Sequence, residues 1–195
     1  MRLLLLDNYD SFTYNLVELI RSLRGPVCEV VPHDRFDPAS LPDYSKVLIS
    51  PGPGLPSGAG LSCELIRRLG PEQSLLGICL GHQAIATVFG AGLYRMERVF
   101  HGKVTEVSVL DKDEVLFRNL PHAFNAGLYH SWAVEAASLP SCLIPTAVSG
   151  EGVLMGLRHS SRDIHGLQFH PESVMTPTGR QILTNWIHSG PEMKY

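Results

Sequence analysis

Short apolar runs alternate along this chain with longer stretches in which apolar positions recur every three or four residues. Arg2–Leu6 carries the consecutive leucines Leu3 to Leu6, stopped by Asp7, and fits a strand buried on both faces. Over Ser11–Leu23, residues Phe12, Leu16, Val17, Leu19, Ile20 and Leu23 draw a helical stripe that Gly25-Pro26 closes. Val27–Val31 and Lys46–Ser50 predict further strands. Leu61, Leu65, Ile66 and Leu69 predict a helix over Leu61–Leu69, stopped by Gly70-Pro71. Leu75–Ile78 reads as a strand and Leu80–Phe89 as a helix ended by Gly90.

The later half changes character. Lys103–Leu110, Val153–His159 and Ile164–Phe169 read as strands. Thr176-Pro177 predicts a helix start, with Thr176 as N-cap and Pro177 at the first helical position. Ile182, Leu183, Trp186 and Ile187 form that helix's buried stripe, and Gly190-Pro191 ends it. Apolar strands alternating with helices predict an α/β fold: one domain over residues 1–195, with a mostly parallel mixed sheet flanked by helices and additional antiparallel strands.

Composition narrows the picture. At 195 residues, 44% hydrophobic and 18% charged, the chain suits one globular core and excludes disordered and fibrous classes. The net charge of −3 argues against nucleic acid or an anionic membrane as partner, since both select basic patches. The leucine run is shorter than the ~7–15 apolar residues of a signal peptide, and nothing approaches the ~18 of a membrane span. Cys28, Cys63, Cys79 and Cys142 are scattered, with no C-x-x-C, and read as reduced thiols; a cytoplasmic location is expected.

Candidate chemistry centres on Gly77-Ile78-Cys79-Leu80-Gly81-His82-Gln83, which sets a cysteine in G-x-C-x-G between a predicted strand and a predicted helix. That is the context of a nucleophile elbow with cysteine in place of serine. The glycines would let the chain turn tightly, and the helix N-terminus would favour a thiolate. A small buried cysteine at a strand–helix junction is the plain alternative. Gln168-Phe169-His170-Pro171-Glu172-Ser173 offers a base and its orienting acid, two residues apart and on one side of an extended backbone. A metal site built from His159, His165 and His170 is the rival, but their spacing matches no standard zinc pattern, and no metal is expected. Ser50-Pro51-Gly52-Pro53-Gly54 follows another predicted strand and could fix backbone N–H groups toward a developing oxyanion; an ordinary tight turn is the alternative.

Together these elements resemble the class I (triad) glutamine amidotransferases, and within them the small subunits of anthranilate synthase and aminodeoxychorismate synthase. The resemblance runs through Asp7-Asn8-Tyr9-Asp10-Ser11-Phe12-Thr13, Pro51-Gly52-Pro53-Gly54, Gly77–Gln83, His101-Gly102-Lys103, Tyr129-His130-Ser131 and Phe169-His170-Pro171-Glu172-Ser173. It implies a Cys79–His170–Glu172 triad that releases ammonia from L-glutamine through a glutamyl thioester. It implies an oxyanion hole at Leu80 N–H and the Gly52–Gly54 loop. Glutamine would be held by Gln83, Ser131 and Trp132 with Gly52, Pro53 and Gly54. Ammonia would pass to a chorismate-using synthase subunit, most simply that of anthranilate formation, with aminodeoxychorismate formation or service to both as alternatives. Tyr9, Asp10, Ser11, His101, Gly102 and Lys103, with Tyr129–Ser131, would face that partner. No cofactor is implied in this chain, and Mg2+ only in the partner. Trp132, Gly58 and Phe100 depart from the residues common at their positions, which bears on the branch and not on the triad. A stand-alone cysteine hydrolase would share the triad but leave the opening motif and His101-Gly102-Lys103 unexplained.

Overall fold

Alternate residues of the first strand serve two different cores. In the computed structural model, which describes residues 2–97 and 100–190, β1 (Arg2–Asp7) sends Leu3 and Leu5 to one face and Leu4 and Leu6 to the other. The first face is covered by α1 (Thr13–Ser22) through Leu16, Val17 and Ile20, and by α4 (Gly179–Ile187) through Ile182, Leu183, Trp186 and Ile187. The second is covered by α2 (Ser62–Arg68) through Leu65 and Ile66, and by α3 (Leu80–Val88) through Ala84, Ile85 and Ala86. A strand buried on both faces needs no polar alternation, which is why the leucine run is unbroken.

Among the described residues the main sheet has nine strands. β2 (Val27–Pro32), β1, β3 (Lys46–Ile49), β4 (Ser74–Ile78) and β11 (Ile164–Leu167) lie side by side and parallel. Beyond β11 the sheet continues antiparallel through β10 (Leu154–His159), β9 (Leu143–Ser149), β6 (Lys103–Val109) and β7 (Ala123–Leu128). A separate ribbon pairs β5 (Leu93–Arg95) with β8 (Trp132–Val134). This is the α/β mixed sheet the sequence predicts, with β7 and β9 added to it and β5 and β8 added as the separate ribbon.

Those additions carry weak signals. β7 reads Ala-Phe-Asn-Ala-Gly-Leu, poor in β-formers, and β9 contains Pro145, which lacks a ladder donor. Pro145 is tolerated because it pairs only with Leu157 of β10, while the pairing to β6 starts at Ala147. One helix start needs correction. α4 begins at Gly179, not at Thr176-Pro177, because the Thr176 hydroxyl donates to His170 O at 2.7 Å and accepts from Gly127 N–H at 3.0 Å. Thr176 fastens the segment after β11 instead of capping a helix. The expected stop at Pro191 lies outside the described residues. No helix among the described residues is long and apolar enough to cross a membrane.

Candidate active site

In a parallel sheet the loops at the strand C-termini line the crevice where ligands bind. β3, β4 and β11 are neighbours, so their following segments bring Gly52, Cys79 and His170 to the same end of the sheet. Cys79 connects β4 to α3 with φ 51° and ψ −99°. Such a backbone costs a residue with a β-carbon on the order of 1–3 kcal/mol. It is held from both sides, by its N–H donating to Leu167 O at 2.7 Å and its carbonyl accepting from Gln83 N–H at 3.0 Å. The tight turn expected of the flanking glycines is therefore taken by the cysteine itself. Gly77 serves contact instead: a β-carbon built there would lie 2.5 Å from the carbonyl of Gly81 and 2.7 Å from Ile85 Cδ1, prying α3 off β4. Leu80 heads α3, so its N–H belongs to the first turn, whose donors have no intrahelical acceptor.

His170 lies three residues beyond β11, with its N–H on Gly127 O at 3.1 Å. Its Nδ1 meets Glu172 Oε1 at 2.6 Å, and both side chains are buried. The acid arrives differently from the extended pairing expected of the sequence, since Pro171-Glu172 forms a turn in which Ser173 N–H reaches back to His170 O. With Nδ1 occupied, Nε2 is the nitrogen without another hydrogen-bond partner. Burial opposes a charge on this ring, yet the nearby Cys79 and the Glu172 carboxylate on Nδ1 prevail and raise it to about 10. Two other buried histidines behave oppositely. Burial lowers His82 to about 3, and burial with nearby His170 lowers His130 to about 4. Electrostatics therefore separates His170 from its neighbours as the group ready to carry a proton.

The loop after β3 is clamped by a residue whose role the sequence did not reveal. Buried Asn8, just past β1, donates from Nδ2 to Ser50 O at 3.0 Å and from its N–H to Ser50 Oγ at 2.8 Å, while its Oδ1 accepts from Ser62 Oγ at 3.0 Å. Gly52 packs in the same place, where a β-carbon would lie 2.5 Å from Asn8 Cβ and 2.8 Å from Leu80 Cδ2. The loop thus lies directly against the residue following Cys79. Gly54, at φ 80°, turns the chain back out.

Behind the sulfur two amides form a short relay. Gln83 Nε2 donates to Trp132 O at 2.8 Å and to Gln168 Oε1 at 3.1 Å, and Gln168 Nε2 donates to Cys79 Sγ at 3.6 Å. Gln83 therefore reaches the Ser131-Trp132 segment as a hydrogen-bond donor. His159, His165 and His170 do not meet: His159 packs on Phe89, His165 hydrogen-bonds Asp163 and lies against Glu114, and His170 bonds Glu172.

Residues 4–189 match the family described as glutamine amidotransferase class-I. The chain belongs to that family. It is 41% identical over 189 residues to the aminodeoxychorismate/anthranilate synthase component 2 of Bacillus subtilis, covering 96% of each chain. It is 42% identical over 192 residues to the anthranilate synthase component 2 of Mycobacterium tuberculosis, covering 96% of this chain and 82% of that one. Among solved structures, a glutamine amidotransferase of Thermotoga maritima shares the fold, with a TM-score of 0.79 at 18% identity over 97% of this chain and 99% of that one.

In this amidotransferase, Tyr129 and His101, from two of the segments the sequence singles out as partner-facing, stack in turn against the catalytic-histidine candidate, and Phe12, next to the third, joins them. Phe12 and Tyr129 pack their rings 5.7 and 4.9 Å from His170, and His101 packs on Tyr129 at 5.5 Å. Tyr129 OH lies 3.1 Å from Ser173 Oγ. Ser11, His101 and Lys103 are exposed and Asp10 and Gly102 half-buried, whereas Tyr9 turns away to bond Asp34 at 2.7 Å. Asn8 and Gln168 are the residues sequence reasoning missed. Both sit inside quoted motifs, but the contacts that give them a role are made across 42 and 89 residues of chain.

Proposed function

We propose that this chain hydrolyses L-glutamine to glutamate and delivers the ammonia to a separate chorismate-using synthase subunit. The observation that carries this reading is the buried 2.6 Å His170–Glu172 contact beside the strained Cys79 elbow. Cys79 Sγ attacks the side-chain amide carbon of glutamine, and the oxyanion formed is held by Leu80 N–H and the Gly52–Gly54 loop. As the C–N bond breaks, His170 gives its proton to the departing ammonia, leaving a glutamyl thioester. Water then adds to the thioester, losing a proton to the now neutral imidazole. The C–S bond breaks with its electron pair returning to sulfur, and glutamate leaves. Glu172 keeps the ring oriented throughout and favours its charged form. Gln83, Ser131 and Trp132 line the glutamine side, together with Gly52, Pro53 and Gly54.

Anthranilate formation is the reaction we assign to the complex, and aminodeoxychorismate formation is the second reading. The Bacillus subtilis relative carries both names in a single chain. Any Mg2+ would belong to the partner, and the complex would work in the cytoplasm. Reconstitution with each candidate synthase subunit, supplied with glutamine and chorismate, tests the proposal through the aromatic product formed. Glutamine-dependent product that disappears in Cys79→Ser and returns when ammonia replaces glutamine is the expected result. Full glutaminase activity in Cys79→Ser would overturn the mechanism.

A further inference from the structure

Gln168 is wholly buried, and neither the triad nor the oxyanion loop uses it. Its amide orientation follows from the relay around it. A backbone carbonyl only accepts, so the atom of Gln83 facing Trp132 O at 2.8 Å must be the nitrogen. That nitrogen only donates, so the Gln168 atom 3.1 Å from it must be the oxygen. The nitrogen of Gln168 is thereby forced toward Cys79 Sγ, 3.6 Å away. Three hydrogen-bonding groups in series thus aim one N–H at the nucleophile. The segment after β11, the start of β8 and the first turn of α3 all contribute, so the donor is fixed before any substrate arrives.

We propose that Gln168 holds the Cys79 sulfur and stabilises negative charge on it, both before attack and when the thiolate is expelled from the thioester adduct. The inference rests on Cys79 being the nucleophile of the proposed glutaminase. Sulfur gains charge as the C–S bond breaks, so a donor already in place lowers that barrier without reorganisation. The other titratable groups around this sulfur are His170 with Glu172 behind it, His130 beyond His170, and His82 on α3. His82 and His130 are held neutral by burial, which leaves the imidazolium and the amide as the groups that oppose the negative charge.

The test is the pH profile of Cys79 alkylation by iodoacetamide in the full chain, without glutamine or synthase, read by peptide mass spectrometry with Cys142 as internal reference. One N–H donor on an anion is worth about one pH unit in the midpoint, which belongs to the Cys79–His170 pair. Gln168→Met should therefore move the profile up by about one unit. A less stabilised thiolate is also a better nucleophile, so the high-pH plateau should rise about threefold while the rate at low pH falls about threefold. The two profiles then cross, which misfolding or loosened packing alone would not produce. A folded Gln168→Met with an unmoved midpoint overturns the proposal. Should that variant fail to fold, the wild-type chain decides. The 15N-edited resonances of the Gln168 side-chain amide should titrate with the alkylation midpoint, and resonances indifferent to it overturn the proposal equally. Wild type inert toward glutamine beside the synthase, yet with both signatures intact, would strike at the proposed function and leave the role of Gln168 standing.

Discussion

His165 sits at the end of the sheet away from Cys79, enclosed by two carboxylates. Its Nδ1 lies 2.9 Å from Glu114 Oε1 and its Nε2 2.7 Å from Asp163 Oδ1, with Glu114 fully buried. Burial pushes the imidazole toward neutrality, but hydrogen bonds and charge from Asp163 and Glu114 override it and raise the ring from 6.5 to about 9. A difference of that size corresponds to ~3 kcal/mol of folding stability. Because the folded state binds the proton more tightly, this contribution is fully present below pH 6.5 and is lost as the pH climbs through about 9. His170, raised to about 10, and Lys46, lowered to about 8 by burial against the pull of Asp163, titrate nearby. The informative quantity is therefore the difference between wild type and His165→Gln, measured by urea unfolding at intervals from pH 6 to pH 10. Removing the cation from between the buried Glu114 and the half-buried Asp163 should cost ~3–5 kcal/mol at pH 6. That gap should shrink by ~3 kcal/mol toward pH 10, where wild type has lost the same charge. A gap that stays constant across the range would refute the claim that His165 is held charged by its neighbours.

Other outcomes follow from single contacts. Glu172→Gln removes the carboxylate that orients and charges His170, so partner-stimulated glutaminase should fall by ~10²–10⁴ and its pH profile should move, whereas a near wild-type rate would dismiss the triad. Thr176→Val keeps the shape but deprives His170 O and Gly127 N–H of their shared hydroxyl; a loss of ~1–3 kcal/mol in chemical denaturation is expected, and none would mean that the hydroxyl holds nothing. Gly77→Ala forces a β-carbon against Gly81 and Ile85 and should destabilise by ~1–3 kcal/mol, lowering the thermal midpoint by several degrees; an unchanged midpoint would contradict the close strand–helix contact. Lys103→Glu, on the exposed start of β6, should weaken stimulation by the synthase several-fold without changing the thermal midpoint; unaltered coupling would remove this segment from the docking face.

The sequence by itself determined the elements whose signals are local. The leucines of β1, the stripes of α1 to α4 and the βα junction at Cys79 depend on neighbours a few residues away, and their boundaries fall within a few residues of expectation. The same holds for the place of Cys79 at a strand–helix junction and for the nearness of Glu172 to His170, although the acid reaches the ring through a turn and not along the extended backbone expected. Long-range pairing was out of reach. β7 has little intrinsic preference for a strand and β9 is interrupted by Pro145; both are extended because β6 and β10 offer them partners, so their identity is a property of the sheet. Thr176 would cap a helix by its local pattern; it ties down His170 because β7 passes within hydrogen-bond distance. Likewise, which way the Gln168 amide points depends on a carbonyl at Trp132, 36 residues away in the chain but in the same hydrogen-bonded relay. Local pattern supplied the reacting groups, and tertiary packing decided what each group can donate to, accept from and lean upon.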